Sequence, residues 1–239
     1  MKVRATKSDP MKTTIGMLLF DDFQLLDVAG PLEVFGATEV AQPILIARSN
    51  DPVAASHWNG VAFTPDADFE SAPALDVLFV PGGKGISRAV EDPATLAFLA
   101  ERAPRARYIT SVCTGALLLG AAGLLHGYRA ATHWLYMDLL PLVGAQPVDE
   151  RIVRDRNRIT SGGVTAGIDF GLALIAELGG DLAAQEAQLY LQYAPAPPFD
   201  AGEPRSAPAA LVEALRARWQ PNHEARAQVL RKAVTTRRS

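Results

Sequence analysis

Apolar residues in this chain fall into short unbroken runs, separated by stretches in which they recur at helical spacing. "TIGMLLF" (14–20) ends at Asp21-Asp22 and predicts a buried strand. "LDVAGPLEVFGATE" (26–39) carries apolar residues at helical spacing after its Gly-Pro break, so a helix is expected to open near Pro31. "PILIAR" (43–48) predicts a second strand, and "ALDVLFVPGG" (74–83) a third. The "VLFV" core of that third run is continuously apolar, as in a parallel strand covered on both faces. "PATLAFLAERA" (93–103) predicts an amphipathic helix. "RYITSV" (107–112) predicts a fourth strand and "TGALLLGAAGLL" the helix after it.

Strands alternating with helices predict a doubly wound parallel α/β sheet. Beyond residue 150 the pattern changes. "RIVRDRNRITSGG" (151–163) predicts a hairpin around "RDRN". "TAGIDFGLALIAELGG" (165–180) predicts a helix with Thr165 as N-cap and Gly179-Gly180 as stop. "DLAAQEAQLYLQY" continues as another helix. "APAPPFDAGEPRSAP" (194–208) reads as a proline-rich arm within one domain spanning residues 13–220, and "AALVEALRARW" (209–219) as the last helix. Residues 1–12 read as a disordered extension and 221–239 as a basic, solvated tail.

Charge and composition narrow the function classes. The chain has 239 residues, 49% of them hydrophobic, which suffices for one large core. Net charge is −3, so no broad positive field exists for nucleic acid or anionic lipid, and neither is expected as a partner. The amino terminus lacks the apolar stretch of a secretory signal, and no apolar run reaches the roughly 20 residues of a membrane span. One cysteine, Cys113, forms no internal disulfide, which fits a reducing, cytoplasmic setting. With one Cys and no H-x-x-x-H or H-x-H spacing, no metal site is expected.

That cysteine lies in "YITSVCTGALLLG" (108–120), where a strand hands over to a helix. A nucleophile at such an elbow needs small residues two before and two after it, and Ser111 and Gly115 stand there. The helix N-terminus is expected to favour the thiolate. The competing reading is a buried structural cysteine. Two other stretches bear on the choice. Gly82-Gly83 end a predicted central strand, where ligands of open α/β sheets bind. There the Gly83 N–H and the Thr114 N–H could form an oxyanion hole, or the glycines could make an ordinary turn. Asp27, among Leu25, Leu26, Val28 and Ala29, either caps a helix or is held in a pocket as an acid or base. His133 in "ATHW" reads as structural, and "GGVTAGIDF" as pocket lining or helix capping.

Taken together, "LLFDDFQLLDVAGPLEVF", "DVLFVPGG", "ITSVCTGALLLGAAGLLHGYRAATHW" and "RITSGGVTAGIDFGLALIAELGG" resemble the DJ-1/PfpI superfamily, most closely its isonitrile hydratase branch. The amino-terminal ligand domains of some AraC-type regulators are similar. The resemblance implies a flavodoxin-like, class I glutamine amidotransferase-like sandwich, a homodimer, no cofactor and a nucleophile at Cys113. Many members carry a histidine directly after the cysteine; Thr114 stands there instead, as in the isonitrile hydratases. The implied catalytic set is Cys113, Thr114 and Asp27. Backbone donors are expected at Gly83 and Thr114, and pocket residues at Gly82, Gly163, Thr165, His133 and Trp134. Loops near 57–60 and 133–137 are expected to shape the space for a small isonitrile. The alternatives are a ligand-binding or regulatory protein without catalysis, and a glyoxalase- or peptidase-type stress protein.

Overall fold

The computed structural model describes residues 12–56 and 60–238. All of the expected 1–12 extension but Lys12, and most of the 57–60 loop, lie outside the described residues. In chain order the elements are β1 (Thr13–Leu18), α1 (Leu25–Gly36), β2 (Ala41–Ala47), β3 (Val53–Ala54), β4 (Ala62–Phe63), β5 (Ala67–Asp68) and β6 (Val77–Val80). These are followed by α2 (Ile86–Glu91), α3 (Pro93–Arg102), β7 (Tyr108–Val112), α4 (Gly115–Ala121), β8 (Arg129–Ala130) and a 3-10 segment at Trp134–Val143. The remainder is β9 (Gln146–Pro147), β10 (Ile152–Asp155), β11 (Arg158–Ser161), α5 (Ala166–Gly179), α6 (Asp181–Tyr190) and α7 (Ala209–Arg238).

Seven strands form the main sheet, in the order β10-β11-β7-β6-β1-β2-β5. All pairings are parallel except the β10–β11 hairpin, whose position matches the expected turn at "RDRN". The strand order reverses beside β1: the chain runs outward through β2 and β5, then returns to place β6 on the other flank. Crevices beyond the carboxyl ends of strands at such a reversal are where doubly wound sheets hold ligands. β1, β6 and β7 lie side by side there. The segments following their carboxyl ends carry Asp27, Gly82 and Cys113.

Both faces of the sheet are covered, which explains the unbroken apolar strands. One core gathers Ile15, Met17, Val28, Phe35, Val77, Phe79 and Phe170 under α1 and α5. The other gathers Leu78, Val80, Ile86, Leu99, Ile109 and Leu117 under α2, α3 and α4. Among the described residues no helix is long and apolar enough to cross a membrane.

Three expectations change. Helix α1 opens at Leu25 and holds Pro31 inside it. Proline removes one intrahelical bond, the one to the Asp27 carbonyl, and the buried face of Val28, Val34 and Phe35 carries the helix past that fault. Thr165 stands at the N-cap of α5 but its side chain makes no capping bond; its Oγ1 instead accepts from Arg151 at 3.4 Å. The third change concerns residues 221–239, expected as a solvated tail. They continue α7 through Pro221 to Arg238. Ala227, Leu230 and Val234 are buried, and the helix packs on α2, α4 and the 3-10 segment. Their spacing of three and four is a buried helical stripe within a charged segment.

Candidate functional site

The turn from β7 into α4 is sharp. Cys113 takes φ 56, a left-handed conformation that L side chains rarely adopt. Its neighbours fix it there. The Cys113 N–H donates to the Ser161 and Gly162 carbonyls at 3.2 and 2.9 Å, and the Thr132 hydroxyl donates to the Cys113 carbonyl at 2.7 Å. At Gly115 a Cβ would stand 2.2 Å from the Val80 carbonyl oxygen, so the elbow can form only with glycine there.

Asp27 reaches the elbow from the first turn of α1 and is fully buried. It caps nothing. The Gly82 N–H donates to its Oδ2 at 2.8 Å, and Oδ1 is buried without a conventional donor among the described residues. Burial raises its pKa from 3.8 to about 7, against the opposing effects of the Gly82 N–H and the Cys113 side chain. Gly82 is the keystone of this contact. A Cβ there would lie 2.6 Å from Thr114 N, 2.7 Å from Thr114 Oγ1 and 2.9 Å from Asp27 Oδ2.

The sulfur does not behave as a helix N-terminus alone would predict. Burial, and next the Asp27 carboxylate, push the Cys113 thiol well above the ordinary thiol range. The backbone N–H groups of Val164 and Thr114, and then the Arg226 charge, act in the opposite direction. The Thr114 N–H at the start of α4 does favour the thiolate, as expected, but removing the sulfur from water outweighs it. Burial lifts both acids, so the Asp27–Cys113 pair keeps a proton at neutral pH.

The donor pair also differs from expectation. The Gly83 N–H donates to Thr114 Oγ1 at 3.2 Å, so it is already engaged. The two N–H groups that meet the sulfur are those of Thr114 and Val164. Val164, at φ 28, is a second strained residue. His133 is a neutral imidazole, its pKa lowered to about 4 by burial and then by Arg226. Its Nδ1 accepts from the Leu135 N–H at 3.3 Å, which caps the 3-10 segment.

An open pocket of about 270 Å³ leads to Cys113. His133, Trp134, Tyr136 and Val164 line it together with Leu215, Trp219 and Arg226 of α7. Of the residues expected in the pocket, His133 and Trp134 line it. Gly82 lies beneath, against Asp27. Gly163 packs on His133 and, with Thr165, lines an adjoining hollow near Arg151. Tyr136 lies in the 133–137 stretch expected to shape the pocket and Val164 in "GGVTAGIDF"; sequence reasoning missed the α7 residues. Val164 carried no signal beyond its place in "GGVTAG", whereas Arg226 sits on the apolar stripe of α7. No group of three or more His, Cys, Asp or Glu is placed to hold a metal ion among the described residues.

Comparison with known proteins places this geometry in context. Residues 13–177 match the DJ-1/PfpI family. The chain is 50% identical over 224 residues to the isonitrile hydratase of Pseudomonas putida, covering 94% of this chain and 97% of that protein. It is 35% identical over 190 residues to the HTH-type transcriptional regulator GbdR of Pseudomonas aeruginosa, but spans only 50% of that regulator. A crystal structure of a ThiJ/PfpI family protein from Pseudomonas syringae superposes with a TM-score of 0.88 at 44% identity, covering 92% of this chain and 91% of that one.

Proposed function

The chain belongs to the DJ-1/PfpI family, and from that membership we propose that it is an isonitrile hydratase, a lyase that converts R–N≡C and water to the N-substituted formamide. The observation that carries this reading is the 50% identity to a protein of that name over nearly the full length of both chains. The regulator-like reading rests on a more distant relative, of which the chain spans half.

The Asp27–Cys113 pair supplies what the reaction needs. The terminal carbon of an isonitrile must gain a proton and a nucleophile. The pair holds one proton between an acid and a sulfur in contact. In the first step Cys113 Sγ bonds to the carbon while the shared proton passes through Asp27 to that same carbon, leaving a thioimidate, R–N=CH–S–Cys113. Asp27 is then a carboxylate. It takes a proton from water as the hydroxyl adds to the carbon, and delivers that proton to nitrogen. As the tetrahedral adduct collapses, Asp27 takes the hydroxyl proton, the C–S bond breaks, and R–NH–CHO leaves. The pair regains one proton. Thr114 contributes its N–H toward sulfur and holds Gly83 through its hydroxyl, which keeps the floor of the pocket rigid.

Cys113, Asp27 and Thr114 are thus the proposed catalytic set. A reducing cytoplasmic setting suits a reaction carried by a single free thiol. The exposed apolar residues Leu182, Leu189 and Tyr190 of α6 are the face we assign to a homodimer. The test of function is product formation from cyclohexyl isocyanide by the purified protein and by folded Cys113→Ala and Asp27→Asn. The reading requires N-cyclohexylformamide from the parent and its loss in both variants. Retained turnover in either variant removes that residue from the scheme.

A further inference from the structure

Arg226 is a cation that the family-matched span, residues 13–177, does not contain. It descends from α7 into the pocket of the nucleophile and is only 4% exposed. One nitrogen of its guanidinium donates to the Gly83 carbonyl at 2.8 Å. The guanidinium carbon lies 4.3 Å from the centre of the Tyr136 ring, and Tyr136 is itself tied to α7 by its hydroxyl, which donates to Asn222 Oδ1 at 2.7 Å. The Nε is buried and has no hydrogen-bond partner among the described residues. No carboxylate pairs with Arg226 among the described residues, although ion pairs are numerous elsewhere on the molecule. A buried, well-oriented cation with an unmatched N–H and no counter-ion is costly to maintain unless an anion forms beside it.

We infer that Arg226 is the anion-holding group of this site: it offsets the negative charge that resides on the Cys113–Asp27 pair and on the adducts formed at Cys113. The inference deepens the proposed hydration reaction, and rests on it only for the identity of those adducts. The backbone makes such a group necessary. The Gly83 N–H is taken by Thr114, and the remaining two N–H groups point at sulfur. These three N–H groups are thus engaged at Thr114 Oγ1 or at sulfur, and the charge that spreads from sulfur onto substrate needs a separate partner. Among the described residues, the titratable and charged groups around Cys113 are Asp27 from α1, and Lys84, His133, Tyr136 and Arg226 from the pocket lining. His133 is neutral and Lys84 is exposed, so Arg226 is the buried positive charge.

Cys113 is the only cysteine in the chain, so its alkylation reports on the site without any isonitrile. The experiment compares the rates with iodoacetate, an anion, and iodoacetamide, its neutral analogue, between pH 6 and 10. The folded parent should show a higher iodoacetate-to-iodoacetamide ratio than the same chain unfolded in urea. Arg226→Gln should lower that ratio about tenfold and slow alkylation by both reagents throughout that pH range. Arg226→Lys should retain most of both. Arg231→Gln, which removes a charge from the exposed side of the same helix, should change neither. An unchanged ratio in folded Arg226→Gln overturns the inference. Should that variant not fold, a ratio in the folded parent no higher than in the unfolded chain overturns it equally. If the parent hydrates no isonitrile yet the ratio falls in Arg226→Gln, the inference stands and the proposed reaction fails.

Discussion

A fully buried carboxyl group with a thiol beside it defines the chemistry at the scale of residues. Asp27 titrates near 7 because burial penalises its charge more than the Gly82 N–H rewards it. That shift makes a stability statement. An unfolded aspartate loses its proton near 3.8, whereas the folded chain keeps it to about 7. Between those values the folded state binds the extra proton, so Asp27 makes the protein progressively less stable as pH rises through that window, by on the order of 4 kcal/mol in total. Asp27→Asn abolishes the titration and keeps an acceptor for Gly82. Its unfolding temperature relative to the parent should therefore climb from pH 4 to pH 7 and level off above; a flat difference would mean that Asp27 is not held protonated. The same group governs rate. The working pair carries one proton, so kcat/KM should rise with pH through a single limb centred near 7, and Asp27→Asn should lose at least about 100-fold, the usual scale of acid–base catalysis.

Elements bring these residues together, and here sequence and structure part company in instructive ways. The alternation of apolar runs was enough to read the parallel sheet, the hairpin at "RDRN" and the elbow around Cys113, because each is a local pattern with a local cause. Asp27 was legible as an anomaly, a carboxylate among Leu25, Leu26 and Val28. Its partner on Oδ2, the Gly82 N–H, was not, since that contact depends on β1 and β6 lying adjacent through a register that periodicity does not encode. The donor pair was misassigned for the same reason: Thr114 Oγ1 occupies the Gly83 N–H only once two loops are packed together. In α7 the charges were counted while the stripe Ala227, Leu230 and Val234 went unweighted, so Arg226 was read as solvated. The contact at Gly82 yields a direct prediction. Gly82→Ala must move the backbone of Thr114 or the carboxyl of Asp27, costing about 1–3 kcal/mol of stability and most of the activity. Denaturant unfolding and a rate assay would check it; a fully active, equally stable variant would show that the three groups are not in close contact.

The whole molecule adds a covering helix and an unpartnered face to the family core. Helix α7, Ala209–Arg238, lines the pocket with Leu215, Trp219 and Arg226 and packs on α2 and α4. On the opposite layer, α6 buries only Ala187 and leaves Leu189 82% and Tyr190 79% exposed, an arrangement that favours a second copy of the chain. Light scattering should give about twice the 25.5 kDa chain mass, and Leu189→Asp should return it to the monomer value without unfolding it. A parent chain that elutes as a monomer at micromolar concentration would remove the dimer from the account. The central claim is covalent: Cys113 carries the substrate as a thioimidate. Rapid-quench mass spectrometry of the intact protein with cyclohexyl isocyanide tests it most directly. The account predicts a transient increase by the full mass of one isonitrile, located on Cys113 and absent from Cys113→Ala; formamide production with no such adduct at any quench time, or with the adduct on another residue, would contradict it.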